Sequence, residues 1–287
     1  MLYKKFPKSD FKISVLGFGT APVGLSGYQD SNYNSIQNEL QSIETMEKAI
    51  ELGINFFDTA PVYGNKISEN RWSKDRLSEK MLGKVINNYS KRESLFIATK
   101  NEREMNKPKD IIDSLEESLN LLQTNYVDLF QLHGTSYRSE TMGDLINDET
   151  ISILKNFQKQ GKVKYIGLSG YRESAFCNVI ERYDLDAIMP QYNIFYRSAE
   201  WELLDLADKN SVAIFPMRPA SGREIETLFS SIPNYRELNI NPYKIAIEYV
   251  LSKKGITSIP IGMRSIAELQ QNVQIIDEIK HLIPNLI

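Results

Sequence analysis

The stretch INFFDTAPVYG, residues 54–64, decides the fold prediction. It begins as a short apolar run typical of a buried strand, and the run stops at the carboxylate of Asp58. Tyr63 follows five residues later, in a turn that contains Pro61 and Gly64. Parallel α/β barrels place reactive side chains in this way, at and just after the ends of buried strands. An Asp that caps a turn and a Tyr that packs on a loop would give the same pattern, so the surrounding sequence has to distinguish the two.

The composition is that of a globular protein with enough apolar residues for a large core. Of the 287 residues, 41% are apolar and 25% are charged, and the net charge is −3. This balance argues against a surface for nucleic acid or for an anionic membrane. No apolar run reaches the roughly 18 residues of a membrane span, and the N-terminus lacks the apolar segment of a secretory signal. Cys177 is the only cysteine, so neither a disulfide within the chain nor a metal site is expected, and a reducing cytoplasm is the expected location.

Apolar runs of strand length alternate with helical patterns along almost the whole chain. Eight such strand–helix units follow one another without a low-complexity linker, and strands that alternate with helices pair in parallel. The predicted strands cover residues 13–16, 54–57, 95–99, 127–132, 163–168, 187–189, 212–215 and 256–259. Three long polar segments are predicted to be loops, at 25–41, 65–75 and 218–240.

Eight strand–helix units in about 250 residues match the size of a closed barrel. We therefore predict a single domain, residues 1–287, with the fold of an α/β (β/α)8 TIM barrel and an N-terminal β-hairpin around Lys8-Ser9-Asp10. An open doubly wound sheet is the alternative, but a nucleotide-binding sheet of that kind usually has a glycine loop after its first strand. The glycines at 17, 19 and 24 do not have the G-x-G-x-x-G spacing, and no helix follows them directly.

Four titratable residues stand where three consecutive predicted strands end. Asp58 and Tyr63 follow the second strand, Lys100 follows the third and His133 follows the fourth. All these strand ends lie on one face of a parallel barrel, so the four side chains are expected to meet there. Chance would rarely place a carboxylate, a phenol, an ammonium and an imidazole together on adjacent strands.

The chemistry of the four groups is coherent. A phenol has a pKa near 10, and an ammonium a few ångströms away is expected to lower that pKa. Lys100 could supply the ammonium and Asp58 could hold it, while His133 could bind the substrate oxygen or relay a proton to Tyr63. Such a proton donor suits a carbonyl oxygen whose carbon receives hydride. Protein side chains cannot supply hydride, so a nicotinamide cofactor is implied.

Over essentially its whole length the sequence resembles the aldo-keto reductases. The matching stretches are LGFGT (16–20), NFFDTAPVYG (55–64), SEKMLGK (78–84), ATK (98–100), VDLFQLHG (127–134), KYIGLSGY (164–171), QYNIF (191–195) and IPIGMRSIAELQQN (259–272). The resemblance implies a catalytic tetrad formed by Asp58, Tyr63, Lys100 and His133. It also implies a cofactor site, in which Ser169 and Gln191 hold the nicotinamide carboxamide and Phe215 stacks on its ring. The other implied cofactor residues are Gly19 and Thr20 near the first strand, and Arg264, Ser265, Glu268 and Asn272 around the adenosine ribose and its phosphate.

Three positions depart from the family pattern. Gly170 replaces a common Asn, which removes one amide contact, and Phe215 replaces the usual stacking Tyr. Glu268 stands where the family often has Arg or Gln, and its carboxylate would repel a 2′-phosphate but could accept a hydrogen bond from a free ribose hydroxyl. The expected cofactor is NADP, bound through Arg264, with NAD as an open alternative.

Three functions remain open at this point. The first is NAD(P)H-dependent reduction of a small carbonyl compound, and the polar residues of the three long loops favour a sugar-like substrate. The second is a nucleotide-binding regulatory protein on the same fold, with little or no turnover. The third is a Schiff-base aldolase that uses Lys100, although Asp58 would keep that lysine charged. The oligomeric state cannot be predicted from the sequence.

Overall fold

The protein is described by a computed structural model that covers residues 1–23, 35–64, 67–68, 71–72, 75–102, 107–134, 146–238 and 240–287. It begins with the predicted hairpin, in which strands β1 (Tyr3–Lys5) and β2 (Lys12–Ser14) pair antiparallel. The next strands along the chain are β3 (Leu16–Gly19), β4 (Phe56–Asp58), β5 (Ile67–Ser68), β6 (Arg71–Trp72), β7 (Phe96–Lys100), β8 (Val127–His133), β9 (Val163–Gly170), β10 (Ala187–Pro190), β11 (Ala213–Ile214) and β12 (Ile259–Gly262).

Eight of these strands form one parallel sheet. Their order is β11-β10-β9-β8-β7-β4-β3-β12, which follows the chain apart from the return of β12 to β3. A parallel bridge between Ile214 and Ile256 joins the two edges of the sheet. The predicted (β/α)8 barrel is therefore confirmed. Strands β5 and β6 lie apart from it as a short antiparallel pair within the polar segment at 65–75.

The helices of the described residues alternate with the barrel strands. They are α1 (Ser35–Glu51), α2 (Leu77–Asn88), α3 (Pro108–Leu121), α4 (Asp148–Lys159), α5 (Glu173–Arg182), α6 (Leu203–Lys209), α7 (Arg223–Ser230), α8 (Pro242–Leu251) and α9 (Ile266–Ile279). Several begin at Asn or Ser, residue types that commonly cap helices. Asn241 accepts from the backbone of Tyr243 and Lys244 ahead of Pro242, and Ser265 accepts from Glu268 N. Among the described residues, no helix is long and apolar enough to cross a membrane.

The core has two layers, and the inner one closes one end of the barrel. The outer layer lies between the sheet and the helices. The inner layer contains Phe56, Phe96 and Phe215 from the strands, together with Phe6 and Ile13 from the hairpin. The ring of Phe6 packs 5.0 Å from that of Phe96. Because the hairpin seals the end where the strands begin, a ligand can reach the barrel interior only where the strands end.

Four predicted boundaries need correction. The first barrel strand is Leu16–Gly19 rather than 13–16, because Ile13 and Ser14 pair within the hairpin. The segment at 25–41 is not entirely a loop, because α1 begins at Ser35, and residues 25–34 lie outside the described residues. Ile36, Leu40 and Ile43 have helical spacing, but the surrounding residues are mostly polar. Likewise α7 lies inside the predicted loop at 218–240, anchored by the buried Ile225. The last strand is Ile259–Gly262 rather than 256–259, because regular pairing with β3 starts at Ile259, while Ile256 makes only its single bridge.

Candidate active site

The register of the parallel strands brings three predicted residues to one end of the barrel. Asp58 pairs with Ala98 two residues before Lys100, and His133 pairs with Ser169. The Nζ of Lys100 donates hydrogen bonds to Asp58 Oδ1 at 2.7 Å and to the carbonyl oxygen of Thr59 at 2.9 Å. Lys100 is fully buried and Asp58 nearly so. Both acceptors lie at the end of β4, so the ammonium is held against that strand end.

Tyr63 reaches the same place from the turn after β4. Its backbone N–H donates to the carbonyl oxygen of Ala60, and Gly64 follows in the left-handed region, at φ +71°. A Cβ at that glycine would lie 2.6 Å from the carbonyl oxygen of Val23, so the close approach of these two backbones requires glycine there. The Nζ of Lys100 lies 4.6 Å from the centre of the Tyr63 ring. The ring of His133 stands edge-on to it, 6.3 Å away. The four residues of the predicted tetrad are thus close together in the structure.

The electrostatics of the buried pair depend on two opposing effects. Burial raises the pKa of the Asp58 carboxyl and lowers the pKa of the Lys100 ammonium, because both charged forms lose water. The attraction between the two groups opposes both pKa shifts, and the carboxylate of Glu79 also acts to raise the pKa of Lys100. The position and the charge of Lys100 therefore depend mainly on Asp58.

Glu79 belongs to a second buried network that the sequence analysis did not identify. Its Oε1 accepts from the hydroxyl of Thr99 at 2.7 Å, and its Oε2 lies 2.8 Å from Nε of Arg76. The signal was present in the sequence, because Glu79 precedes the buried Leu82 and Ile86 by three and seven residues, on the apolar stripe of α2. A carboxylate on such a stripe needs a partner inside the protein.

The predicted nicotinamide contacts line the neighbouring part of the rim. Ser169 and Gln191 are both buried at the ends of β9 and β10. The hydroxyl of Ser169 lies 3.7 Å from the sulfur of Met217, and Met217 forms a parallel bridge with Gln191. Met217 is half-buried at this open end. Met217 was not among the site residues predicted from the sequence.

Phe215, the predicted stacking residue, is not brought to this rim. It is completely buried in the inner layer, with its ring 4.7 Å from that of Phe56 and 6.4 Å from that of Phe6 of the hairpin. Side chains alternate along a strand, so Phe215 and Met217 point to the same side, and Met217 lies further toward the strand ends. The residue of this strand that adjoins Ser169 is Met217.

The remaining predicted cofactor residues lie on the other side of the barrel opening. Thr20 holds the tetrad strand, because its N–H and its hydroxyl both donate to the carbonyl oxygen of Asp58, at 2.9 and 3.1 Å. Gly19 lies against Gly262, and a Cβ on Gly19 would come within 3.2 Å of the Gly262 nitrogen. Arg264, Ser265, Glu268 and Asn272 are grouped around the first two turns of α9. No cluster of three or more potential metal ligands occurs in the described ranges.

Comparisons with known proteins agree with this geometry. The family model described as "Aldo/keto reductase family" matches residues 15–226. L-galactose dehydrogenase of Arabidopsis thaliana is 28% identical over 298 residues, which cover 94% of this chain and 86% of that protein. Among solved structures, the thermostable aldo-keto reductase Tm1743 in complex with the inhibitor epalrestat superposes with a TM-score of 0.74 at 26% identity, covering 98% of each chain. The aldo-keto reductase AKR11C1 from Bacillus halodurans gives a TM-score of 0.74 at 25% identity, covering 98% of this chain and 95% of that one. The chain therefore belongs to the aldo/keto reductase family of oxidoreductase enzymes.

Proposed function

We propose that the protein reduces the carbonyl group of a small, polar aldehyde or ketone to an alcohol, with Tyr63 as the proton donor. One observation carries the proposal. The buried Lys100 ammonium is fixed between Asp58 and the Thr59 carbonyl oxygen, and it stands 4.6 Å from the Tyr63 ring. A cation held there favours negative charge on the phenol oxygen, which is the charge that remains when Tyr63 gives up its proton.

Each tetrad residue then has a distinct role. A bound dihydronicotinamide supplies the hydride that the carbonyl carbon receives. Tyr63 donates its hydroxyl proton to the carbonyl oxygen, and Lys100 stabilises the phenolate that results. Asp58 orients the ammonium and offsets part of its desolvation. His133 stands edge-on to Tyr63 and binds the carbonyl oxygen from the other side. The products are an alcohol and the oxidised nicotinamide.

The residues at the rim suit a nicotinamide. Ser169 and Gln191 offer a hydroxyl and an amide, which match the donor and acceptor of a carboxamide. Met217, next to Ser169, offers a polarisable sulfur to the face of the ring, in place of the aromatic residue expected from the sequence. We propose NADP as a cofactor, because the chain belongs to the aldo/keto reductases, and NAD as a second one. The start of α9, with Arg264, Ser265 and Asn272, would hold the adenosine ribose.

Two observations indicate the class of substrate. The sequence segments 25–41, 65–75 and 218–240 are rich in polar residues, and the Arabidopsis relative is named for the sugar L-galactose. We therefore propose a hydroxylated, sugar-like carbonyl as the substrate. A spectrophotometric screen with aldoses, keto sugars and aromatic aldehydes, run with both cofactors, would identify the preferred class.

The variant Tyr63→Phe tests the mechanism. It removes only the hydroxyl, so kcat should fall by about 10²–10⁴-fold, while the Kd for NADPH stays within about twofold. The matched control is Tyr183→Phe, because the hydroxyl of Tyr183 lies at the surface and bonds only to Asp148 and Arg182 among the described residues. Full activity of Tyr63→Phe would rule the mechanism out. Tight NADPH binding by the wild type without turnover of any carbonyl compound would favour the regulatory-protein alternative.

A further inference from the structure

The predicted phosphate-binding arginine already has a carboxylate partner. Both oxygens of Glu268 are engaged by Arg264: Oε1 accepts from guanidinium Nη2 at 2.9 Å, and Oε2 accepts from the Arg264 backbone N–H at 2.8 Å. Ser265 completes the arrangement, because its hydroxyl oxygen accepts from Glu268 N at 3.2 Å. Glu268 therefore takes part in a reciprocal capping arrangement at the start of α9. Its backbone N–H donates to Ser265, and its carboxylate accepts from the backbone N–H of Arg264.

This arrangement occupies two of the groups that would attract a phosphate, the guanidinium and the backbone N–H of Arg264. A phosphate monoester is bound by guanidinium groups, by free backbone N–H groups and by the positive end of a helix dipole. Here the guanidinium and the Arg264 N–H both bond to the carboxylate of Glu268, which itself lies in the first turn of α9. An incoming phosphate would have to displace that carboxylate and would still meet its negative charge.

Neighbouring helices add a second carboxylate. Glu226 of α7 bonds to the hydroxyl of Tyr243 of α8; burial raises the pKa of this phenol most, Glu226 and Glu268 raise it further, and Arg264 lowers it. Tyr243 thus lies within electrostatic reach of all three charged groups. Glu226 therefore places a second carboxylate in the surroundings of the Arg264–Glu268 pair.

We infer that Glu268 is a specificity-determining residue that cancels the preference for a 2′-phosphate, so that the protein binds NADH and NADPH with similar affinity. The inference rests on the proposed function, because it places the adenosine end of the cofactor at the start of α9. A free ribose 2′-hydroxyl can donate to Glu268 without displacing Arg264, whereas a 2′-phosphate is repelled. Affinity for NADPH is retained because exposed pairs four residues apart in a helix are weak, and Arg264 can turn toward the phosphate.

The test is equilibrium binding, followed through the fluorescence of the reduced nicotinamide and by calorimetry. For the wild type, the Kd values for NADH and NADPH should agree within about tenfold. Glu268→Gln keeps the size of the side chain and removes its charge, so the Kd for NADPH should fall by at least about tenfold and the Kd for NADH should change by less than twofold. The matched control is Asp277→Asn, which removes one carboxylate of a local ion pair, with Lys280, at the far end of α9.

The outcomes separate this inference from the proposed function. If neither dinucleotide binds the wild type, the proposed function fails. If both bind and Glu268→Gln leaves the Kd for NADPH unchanged, or changes both Kd values equally, the inference is wrong while the function stands. Competition with adenosine 2′-monophosphate and adenosine 5′-monophosphate gives a readout that does not involve the nicotinamide. Only the 2′-monophosphate should gain affinity in Glu268→Gln, and an equal gain for both would contradict the inference.

Discussion

Two buried ion pairs flank the same strand, and they differ in what covers them. Lys100 and Thr99 are neighbours at the end of β7 and point to opposite sides of the sheet. On the inner side Lys100 pairs with Asp58 beside Tyr63, at the open end of the barrel. On the outer side Thr99 donates to Glu79, which pairs with Arg76. The same kind of charge pair can do chemistry where a substrate reaches it, and it can only hold elements together where helices cover it.

The outer pair holds together three elements of the barrel wall. Arg76 lies in the left-handed region, at φ +50°, immediately before α2. Its Nη2 donates to Ser118 Oγ of α3 at 2.8 Å, and its Nη1 lies 2.7 Å from the carboxylate of Glu117. Through Glu79 and Thr99 the network continues to the end of β7. It therefore fixes the strand end from which Lys100 projects.

The largest effect is expected at the inner pair. Lys100→Met removes the cation beside Tyr63 and should lower kcat by about 10²–10³-fold, because the charge on the phenol oxygen loses its stabilisation. Steady-state kinetics measures kcat, and the Kd for NADPH should remain unchanged. The surface variant Lys84→Met, which removes only a 3.7 Å pair with Glu39, is the control.

Folding must be separated from catalysis in this experiment. Lys100→Met leaves the carboxylate of Asp58 buried without its cation, which is destabilising. The double variant Asp58→Asn, Lys100→Met removes both charges, so it should recover stability but not activity. Activity within fivefold of the wild type in either variant would show that the inner pair is structural, like the outer one.

The opposite result is expected at the outer pair. Glu79→Gln leaves Arg76 without its main buried partner and should lower the free energy of unfolding by about 3 kcal/mol. Urea denaturation measures that loss. The kcat of the folded variant should stay within a few-fold of the wild type, because Lys100 keeps both of its hydrogen bonds. A loss of kcat comparable with that of Lys100→Met would show that the two pairs act as one unit.

The inner pair could be predicted from the sequence, because strand alternation and parallel pairing together place Asp58, Lys100 and His133 on one face. The residue that we propose to lie against the nicotinamide, Met217, could not be predicted in this way. Positions 215 and 217 point to the same side of a strand, and the difference between them is their height along the barrel axis. That height depends on how far neighbouring strands are staggered, which no local pattern reveals.

The start of α1, helix α7 and the buried carboxylate of Glu79 were also not predicted from the sequence. The start of α1 and the whole of α7 were missed because their segments are mostly polar. The few apolar residues in them do have helical spacing, as at Ile225, Leu228 and Phe229. Glu79 was present in the apolar stripe of α2, but its partner Arg76 lies outside the helix in a left-handed turn. The pair is close in sequence, yet its burial depends on α3, which packs over it from a distant part of the chain.

Lys4 is a third buried cation, and unlike Lys100 and Arg76 it has no carboxylate partner among the described residues. Lys4 of the hairpin is 4% exposed, and its Nζ donates to the carbonyl oxygen of Ile256 at 2.8 Å. Burial lowers the pKa of Lys4 to about 8. In the unfolded chain the pKa is about 10.4, so between these two values the unfolded state binds more protons and stability rises with pH. The charged form therefore costs up to about 3 kcal/mol of stability below pH 8, and this cost vanishes above about pH 10.4.

The variant Lys4→Met removes that cost together with one hydrogen bond, which is worth about 1 kcal/mol. At pH 7 we expect the variant to be more stable than the wild type by about 2 kcal/mol. The advantage should shrink as the pH rises from about 8 to about 10.4, because over this range Lys4 becomes neutral in the unfolded state as well. Urea denaturation of both proteins at several pH values gives the difference, in which the titration of all other groups cancels. A difference that does not depend on pH would mean that Lys4 carries no charge penalty in the folded protein.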